Sequence, residues 1–309
     1  MPSSSRPPGQ GKGCGLRFFT AIVVLLGVGV FLAYHFTNNA PPGAGCTVKA
    51  DAGELKLTPD QASNAATIAA VAASRGLPER ALTIALATSL QESRLENLDH
   101  GDRDSLGLFQ QRPSQGWGSA TQIMDPVHAA NSFFTSLVKI DGYTRLPVTV
   151  AAQRVQKSGY PEAYAQHEAD ATLLSAALTG RHPAALSCTT GADTAYSAGG
   201  RLGDPRKVTA RLSREFGARV RPREDTLPRT VAVPAGGGTQ RGWELAQWAV
   251  AHAHDLRVEQ VTFGGMRWQA ARSGAGWQRQ PDSGGKGATA SAAAGTAAGD
   301  GLVRITVAR

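Results

Sequence analysis

Between residues 58 and 180 apolar side chains recur at helical spacing, and helix-start and helix-stop residues punctuate them. Thr58-Pro59-Asp60-Gln61 has the form of a capping box with Pro at the first helical position, and Ala62, Ala65, Ile68 and Val71 carry the period on to Gly76. Pro78-Glu79 opens a second, alanine-rich helix. Asp125-Pro126 opens another, with Val127, Ala130, Phe133, Phe134, Leu137 and Val138 on its apolar side and Gly142 beyond it. Two more are expected at 150–157 and 161–179, so this block is read as mainly α. After residue 200 the period changes repeatedly. A helix is expected at 205–216, a strand at 229–234 and a helix at 241–256 with Leu245, Trp248, Ala249 and His252 at helical spacing. A hairpin through Gly264-Gly265 at 258–269 and a final alternating strand at 301–308 complete a small α/β domain.

The N-terminal pattern is different. Residues 18–36 carry no Asp, Glu, Lys or Arg over about 19 positions, long enough to cross roughly 30 Å of hydrocarbon. Arg6, Lys12 and Arg17 precede this run, whereas the next basic residue after it is Lys49. The positive-inside rule then predicts a single-pass protein of the cell membrane, with a cytoplasmic N terminus and extracytoplasmic C-terminal domains. The expected order is a cytoplasmic tail at 1–17, a transmembrane helix at 18–36, a linker at 37–45, an α domain at 46–190, a linker at 191–200 and an α/β accessory domain at 201–309. Within the last, 283–299 is Gly/Ala/Ser/Thr low complexity and reads as a loop.

The net charge of +8 points to acidic partners, but the basic residues are scattered and only 6% of residues are aromatic. That is not the basic stripe with stacking rings of a nucleic-acid reader, so membrane headgroups and wall polymers remain. Cys46 and Cys188 bracket the α block and, in an oxidising compartment, most simply form a disulfide. Closing a loop of about 140 residues is worth roughly 4–5 kcal/mol in the chain-entropy model. Cys14, on the predicted cytoplasmic side, is expected to remain a thiol. No CxxC or HxxxH cluster is present, and neither a metal nor a cofactor is expected.

The chain's candidate chemistry lies in 81–118. Glu92 comes seven residues after Ala85 and shares its face, where small side chains admit close packing. Desolvation disfavours the charged form of a carboxylate, which suits a general acid. Asp99, Asp102 and Asp104 follow in an acidic loop. Leu106 and Pro113 spoil the calcium-loop pattern that begins at Asp102, and pairing with Arg103 or loop capping is the plainer role. Trp117, between two glycines, is either a sugar platform or a core plug.

Gln91-Glu92-Ser93 followed by Gly107-Leu108-Phe109-Gln110 resembles the Glu-Ser and Gly-Leu-Met-Gln motif pair of the goose-type lysozyme and soluble lytic transglycosylase superfamily. The run 101–118 is similar to a lysozyme-like module of actinobacterial wall proteins, and the likeness covers about 46–188. The resemblance implies a lysozyme-like fold and Glu92 as catalytic acid at the bond between N-acetylmuramic acid and N-acetylglucosamine. Ser93, Ser105, Gln110 and Trp117 would contact substrate, with Tyr160 or Tyr164 on the cleft wall. Arg94 stands where transglycosylases usually have Gly. A transglycosylase needs no second acid, whereas a hydrolase needs another carboxylate about 6.5–9.5 Å away if inverting or about 5–5.5 Å if retaining, with Asp99, Asp102 and Asp104 as candidates.

The segments at 242–248 and 251–256, with Arg267-Trp268 and Gly276-Trp277, are similar to a C-terminal domain of actinobacterial exported proteins that itself resembles zinc D-alanyl-D-alanine peptidases. The positions that would hold metal fall on Ala232, Leu302 and Arg304, which do not bind zinc. A non-catalytic module for wall binding or for wall-enzyme partners is implied. His252 and His254, at i and i+2, face different sides of a helix and read as core or surface residues, and Trp243 and Trp248 read as core. The whole chain is thus expected to be a membrane-anchored peptidoglycan glycosidase acting on glycan strands. The alternative is an inactive glycan-binding scaffold.

Overall fold

A computed structural model of the chain describes residues 43–51, 53–157, 161–190, 202–280 and 301–309. Residues from Gly43 to Arg309 form one compact unit. It opens with a three-stranded antiparallel sheet in the order β2-β1-β3, formed by β1 (Gly45–Ala50), β2 (Gly53–Leu57) and β3 (Leu186–Thr189). Cys46 and Cys188 are direct partners across β1 and β3 and are joined by a disulfide.

Helix α1 (Pro59–Ser74) starts on the Thr58 capping box, and α2 (Glu79–Ser93) follows after a turn at Gly76. A short α3 (Ala120–Ile123), then α4 (Pro126–Leu137) capped by Asp125, α5 (Val148–Gln156) and α6 (Glu168–Leu178) complete the first block. The helix expected at 161–179 is divided, because Pro161–His167 is a 3-10 segment that lies against α2 and the α-helix begins only at Glu168.

The second block contributes α7 (Pro205–Phe216), α8 (Thr239–Ala251) and a last turn α9 (Ala253–Leu256). Its sheet has the order β4-β5-β9-β6-β7-β8, all antiparallel, from β4 (Arg223–Glu224), β5 (Thr230–Pro234), β6 (Val258–Phe263), β7 (Met266–Gln269), β8 (Gln278–Arg279) and β9 (Leu302–Val307).

The two blocks share one core. Helix α1 packs on α7 and α8, and α8 also packs on α6 and β3. The approach of α8 to the end of α6 is close enough that a Cβ on Gly180 would sit 2.0 Å from the Gln240 carbonyl oxygen, so glycine is required there. Buried Gln247 reaches across, accepting from the Leu186 N–H at 2.8 Å and donating to the Ala177 carbonyl at 2.7 Å. Trp277 donates its indole N–H to the Leu186 carbonyl at 2.8 Å.

These observations correct the expected fold class. In place of a mainly α domain beside a small α/β domain, two antiparallel sheets and the helices between them build a single unit. The first sheet escaped the reading because its strands are short and the period-2 signal is confined to Cys46, Val48 and Leu57, which point into the core. The transmembrane part of the fold class and the single-pass membrane localisation are corrected with it. Among the described residues no helix is long and apolar enough to cross a membrane. The longest of them, α1, has 16 residues and rises about 24 Å, short of roughly 30 Å of hydrocarbon. The 18–36 stretch on which both expectations rested lies outside the described residues, as do Cys14 and the 191–200 and 283–299 segments.

Candidate active site

Glu92 is the penultimate residue of α2 and is half-buried. The helix stops immediately after it, because Arg94 takes the left-handed cap conformation with φ 55° and donates its N–H to the Leu90 carbonyl. This is the position where the lysozyme-like resemblance expects glycine, and the backbone explains that expectation: only glycine enters this region without a Cβ penalty. Leu95, also at positive φ, donates to the Ser89 carbonyl and turns the chain into the 96–104 loop.

Fully buried Tyr164 donates its hydroxyl to Glu92 Oε1 at 2.6 Å. The 3-10 segment that carries Tyr164 is tied to the same helix end by Gln91, whose Oε1 accepts from Gln166 Nε2 at 3.0 Å and meets His167 Nε2 at 3.1 Å. Burial, reinforced by Arg94, lowers the His167 pKa, although Asp170 opposes the shift. No cation is ion-paired with Glu92 among the described residues. Its hydrogen-bonding neighbour is therefore a neutral phenol.

Ser93 and Ser89 serve the backbone. Both hydroxyls donate to the Leu108 carbonyl, at 2.8 and 3.0 Å, and so hold the 107–110 loop against the end of α2. Gln156 Nε2 holds the next carbonyl, that of Phe109, at 2.7 Å. Gln110 folds back on its own loop, with Nε2 at 3.3 Å from the carbonyls of His100 and Gly107. A Cβ on Gly101 would lie 1.8 Å from Gln110 Oε1, so that glycine makes room for the folded side chain.

Asp104 clamps the loop. Its carboxylate accepts from Arg112 Nε at 2.6 Å, from the Ser114 N–H at 2.8 Å and from the Ser114 hydroxyl at 3.0 Å. The Ser114 backbone bond, then Arg112 and the Ser114 hydroxyl, hold its pKa far below the usual carboxylate range. Asp102 is exposed and lies 3.9 Å from Arg103. Asp99 pairs with His100 at 2.8 Å, and that hydrogen bond, with the His100 charge, lowers its pKa. Ser105 is buried, with its N–H on the Asp102 carbonyl. Trp117 is half-buried against the core, and its carbonyl lies 3.2 Å from His128 Nε2. Tyr160 lies outside the described residues. The fold thus brings Glu92, Ser93 and Tyr164 together, while Asp104 and Gln110 bond to their own loop.

A second glutamate cluster was not legible in the sequence. Glu215, penultimate in α7, is buried to 1% and accepts from Thr67 Oγ1 at 3.0 Å, from the Trp248 indole at 2.7 Å and from Arg211 Nε. His252, fully buried, places Nδ1 at 2.8 Å from Ser63 Oγ and 3.5 Å from Asp255 Oδ2, and Nε2 at 3.5 Å from Glu215 Oε2. The last distance is at the outer limit of a hydrogen bond, so the attraction there is mainly electrostatic. Burial disfavours a charged imidazole, but the Glu215 charge, with Asp255, outweighs it and raises the His252 pKa to about 9. Burial likewise pushes Glu215 up, yet His252 and Arg211 hold it at about 2. The cluster is an internal ion pair within the second block, between α7 and the end of α8, to which α1 adds the Ser63 and Thr67 hydroxyls. His254, two residues on, is exposed, and Trp243 and Trp248 are buried.

Ser63 connects this cluster to the loop beyond Glu92. It lines an open polar cleft of about 540 Å³ together with Asn64, Glu96 and Asn97. On the same helix, Gln61 and Asn64 donate to the Arg94 and Leu95 carbonyls at 2.9 and 2.8 Å. Among the described residues no group of His, Cys, Asp and Glu is arranged to hold a metal.

No curated protein matches the chain. The family model of the VldE C-terminal domain matches residues 225–291, which hold β5, α8, α9 and the β6-β7-β8 strands and lie outside the block that carries Glu92, so this stretch of the second block is similar to that domain.

Proposed function

We propose that the protein is a peptidoglycan glycosidase that cleaves the bond between N-acetylmuramic acid and N-acetylglucosamine by the single-carboxylate route of a lytic transglycosylase. The observation that carries this reading is the 2.6 Å bond from the Tyr164 hydroxyl to Glu92 Oε1 at the abrupt end of α2. A neutral donor on one carboxyl oxygen fixes the orientation of the group and leaves the other oxygen to carry the proton. A cation in its place would keep the group ionised and useless as an acid.

Glu92 gives its proton to the glycosidic oxygen as C1 acquires oxocarbenium character, and N-acetylglucosamine departs with a 4-hydroxyl. The muramyl 6-hydroxyl then attacks C1. Its proton passes to the Glu92 carboxylate, a 1,6-anhydro ring closes, and no water is consumed. The single-carboxylate branch is favoured because Asp104, one of the three candidates for a second acid, has both oxygens engaged by Arg112 and Ser114.

The test is mass spectrometry of muropeptides after incubating purified peptidoglycan with the full-length chain or its Glu92→Gln form. Anhydro ends that depend on Glu92 are expected. Reducing ends, heavier by one water, would mean hydrolysis and a second carboxylate. Glycan binding with no products from the folded, disulfide-bonded protein would defeat the enzyme reading and favour the scaffold.

A further inference from the structure

The two faces of the second sheet differ in composition, and β5 is buried on both, with Thr230 and Ala232 at 3% and 2% exposure. The paired row Val231, Ile305, Val261 and Trp268 is buried, each residue at 0–1% exposure. The adjacent row points the opposite way, as successive strand residues must. It runs across all six strands as Arg223, Ala232, Arg304, Thr262, Arg267 and Gln278, each directly opposite the next. Register therefore places three arginines on alternate strands of one face, over about 19 Å at the usual strand spacing.

No acid stands in that row. Asp225 accepts from Arg304 Nε at 2.9 Å and offsets one of the three charges. Among the described residues no carboxylate is ion-paired with Arg223 or Arg267, and the nearest other acid in β6, Glu259, is paired with Arg229. Arg267 adds an independent sign: its Nε is shielded from solvent and meets no acceptor. A desolvated charged donor without a partner is costly unless a ligand supplies the acceptor.

We propose that this face binds a linear phosphate-bearing polyanion, with Arg223, Arg304 and Arg267 taking phosphates along its length. Arg223 and Arg267 stand about 19 Å apart at the usual strand spacing, so a ligand that meets both must be extended. A guanidinium fork matches two oxygens of a phosphate, which stays charged throughout the physiological pH range. This surface stands independently of Glu92 and of the glycosidase reading.

The experiment is fluorescence anisotropy of labelled linear inorganic polyphosphate titrated with the full-length chain. Binding that weakens as salt is raised is expected. Arg223→Gln and Arg267→Gln should each weaken it by about three- to tenfold, and together by more than about tenfold. Arg267→Lys should fall between wild type and Arg267→Gln, because charge is kept and the fork is lost. Arg206→Gln, on exposed α7 surface, should change nothing, and unchanged thermal unfolding of each variant shows that the fold is intact. Absence of binding, or binding that the Arg223 and Arg267 variants leave unaltered, overturns the proposal. Equal affinity for polyglutamate overturns its phosphate specificity.

Discussion

Glu92 and Glu215 occupy equivalent places in two helices and lead opposite lives. Each is the penultimate residue of its helix, where the negative end of the helix dipole does not favour a carboxylate charge, and each accepts a bond from a buried aromatic side chain. Around Glu215 the protein adds Arg211, Thr67 and the charged His252, leaving the carboxylate saturated and out of water. Around Glu92, among the described residues, it adds only the Tyr164 hydroxyl. A glutamate surrounded by cations is a structural anion. Glu92, with a neutral donor and no ion pair among the described residues, has no such charged partner.

Substitutions that remove one feature at a time sharpen this contrast. Glu92→Gln should abolish product formation, by about 10²–10⁴-fold for loss of a general acid, while moving the unfolding free energy by less than about 1 kcal/mol. The opposite pattern is expected on the other side. His252→Ala leaves Glu215 buried without its imidazolium and should cost about 3–5 kcal/mol in urea unfolding.

The same histidine gives a pH signature. Its folded pKa of about 9 lies above the ordinary 6.5, so its stabilisation is complete below about 6.5 and is lost as pH rises through 9. Urea midpoints measured from pH 6 to pH 10 should fall across that window in the wild-type protein, and the histidine-dependent part of the fall should vanish in His252→Ala. A wild-type midpoint that stays flat to pH 10 would contradict a charged His252.

Smaller effects are expected nearer Glu92. Tyr164→Phe deletes the hydrogen bond to Glu92, worth about 1 kcal/mol, and should slow glycan cleavage by about five- to tenfold with anhydro ends retained. Loss comparable to that of Glu92→Gln would make Tyr164 a participant in proton transfer. Arg94→Gly should relieve a left-handed cap and raise stability by up to about 1 kcal/mol, read in the same urea titration.

Local chemistry was legible wherever neighbouring residues decide the outcome. The Thr58 capping box, the Asp125 cap, the start and stop of α7 and the hairpin through Gly264-Gly265 all depend on residues within about four positions of one another. The pairing of Cys46 with Cys188 was accessible because they are the two cysteines bracketing the block. The split of 161–179 was not legible, since Tyr164 and Gln166 meet Glu92 and Gln91 across more than seventy residues of chain. Asp104 read as a candidate acid because nothing near it in sequence announces that Arg112 and Ser114 consume its oxygens.

The capped helix starts, the end of α2 after Ser93 and the alternation of the last strand were therefore determined by the sequence itself, through periodicity and capping within single elements. Only the tertiary structure decided that two blocks share one core, that Glu215 and His252 form an ion pair inside it, and that three arginines line one sheet face. The reason is physical: burial, ion pairing and strand register depend on contacts between segments far apart in the chain, and no local pattern encodes which distant side chain will arrive.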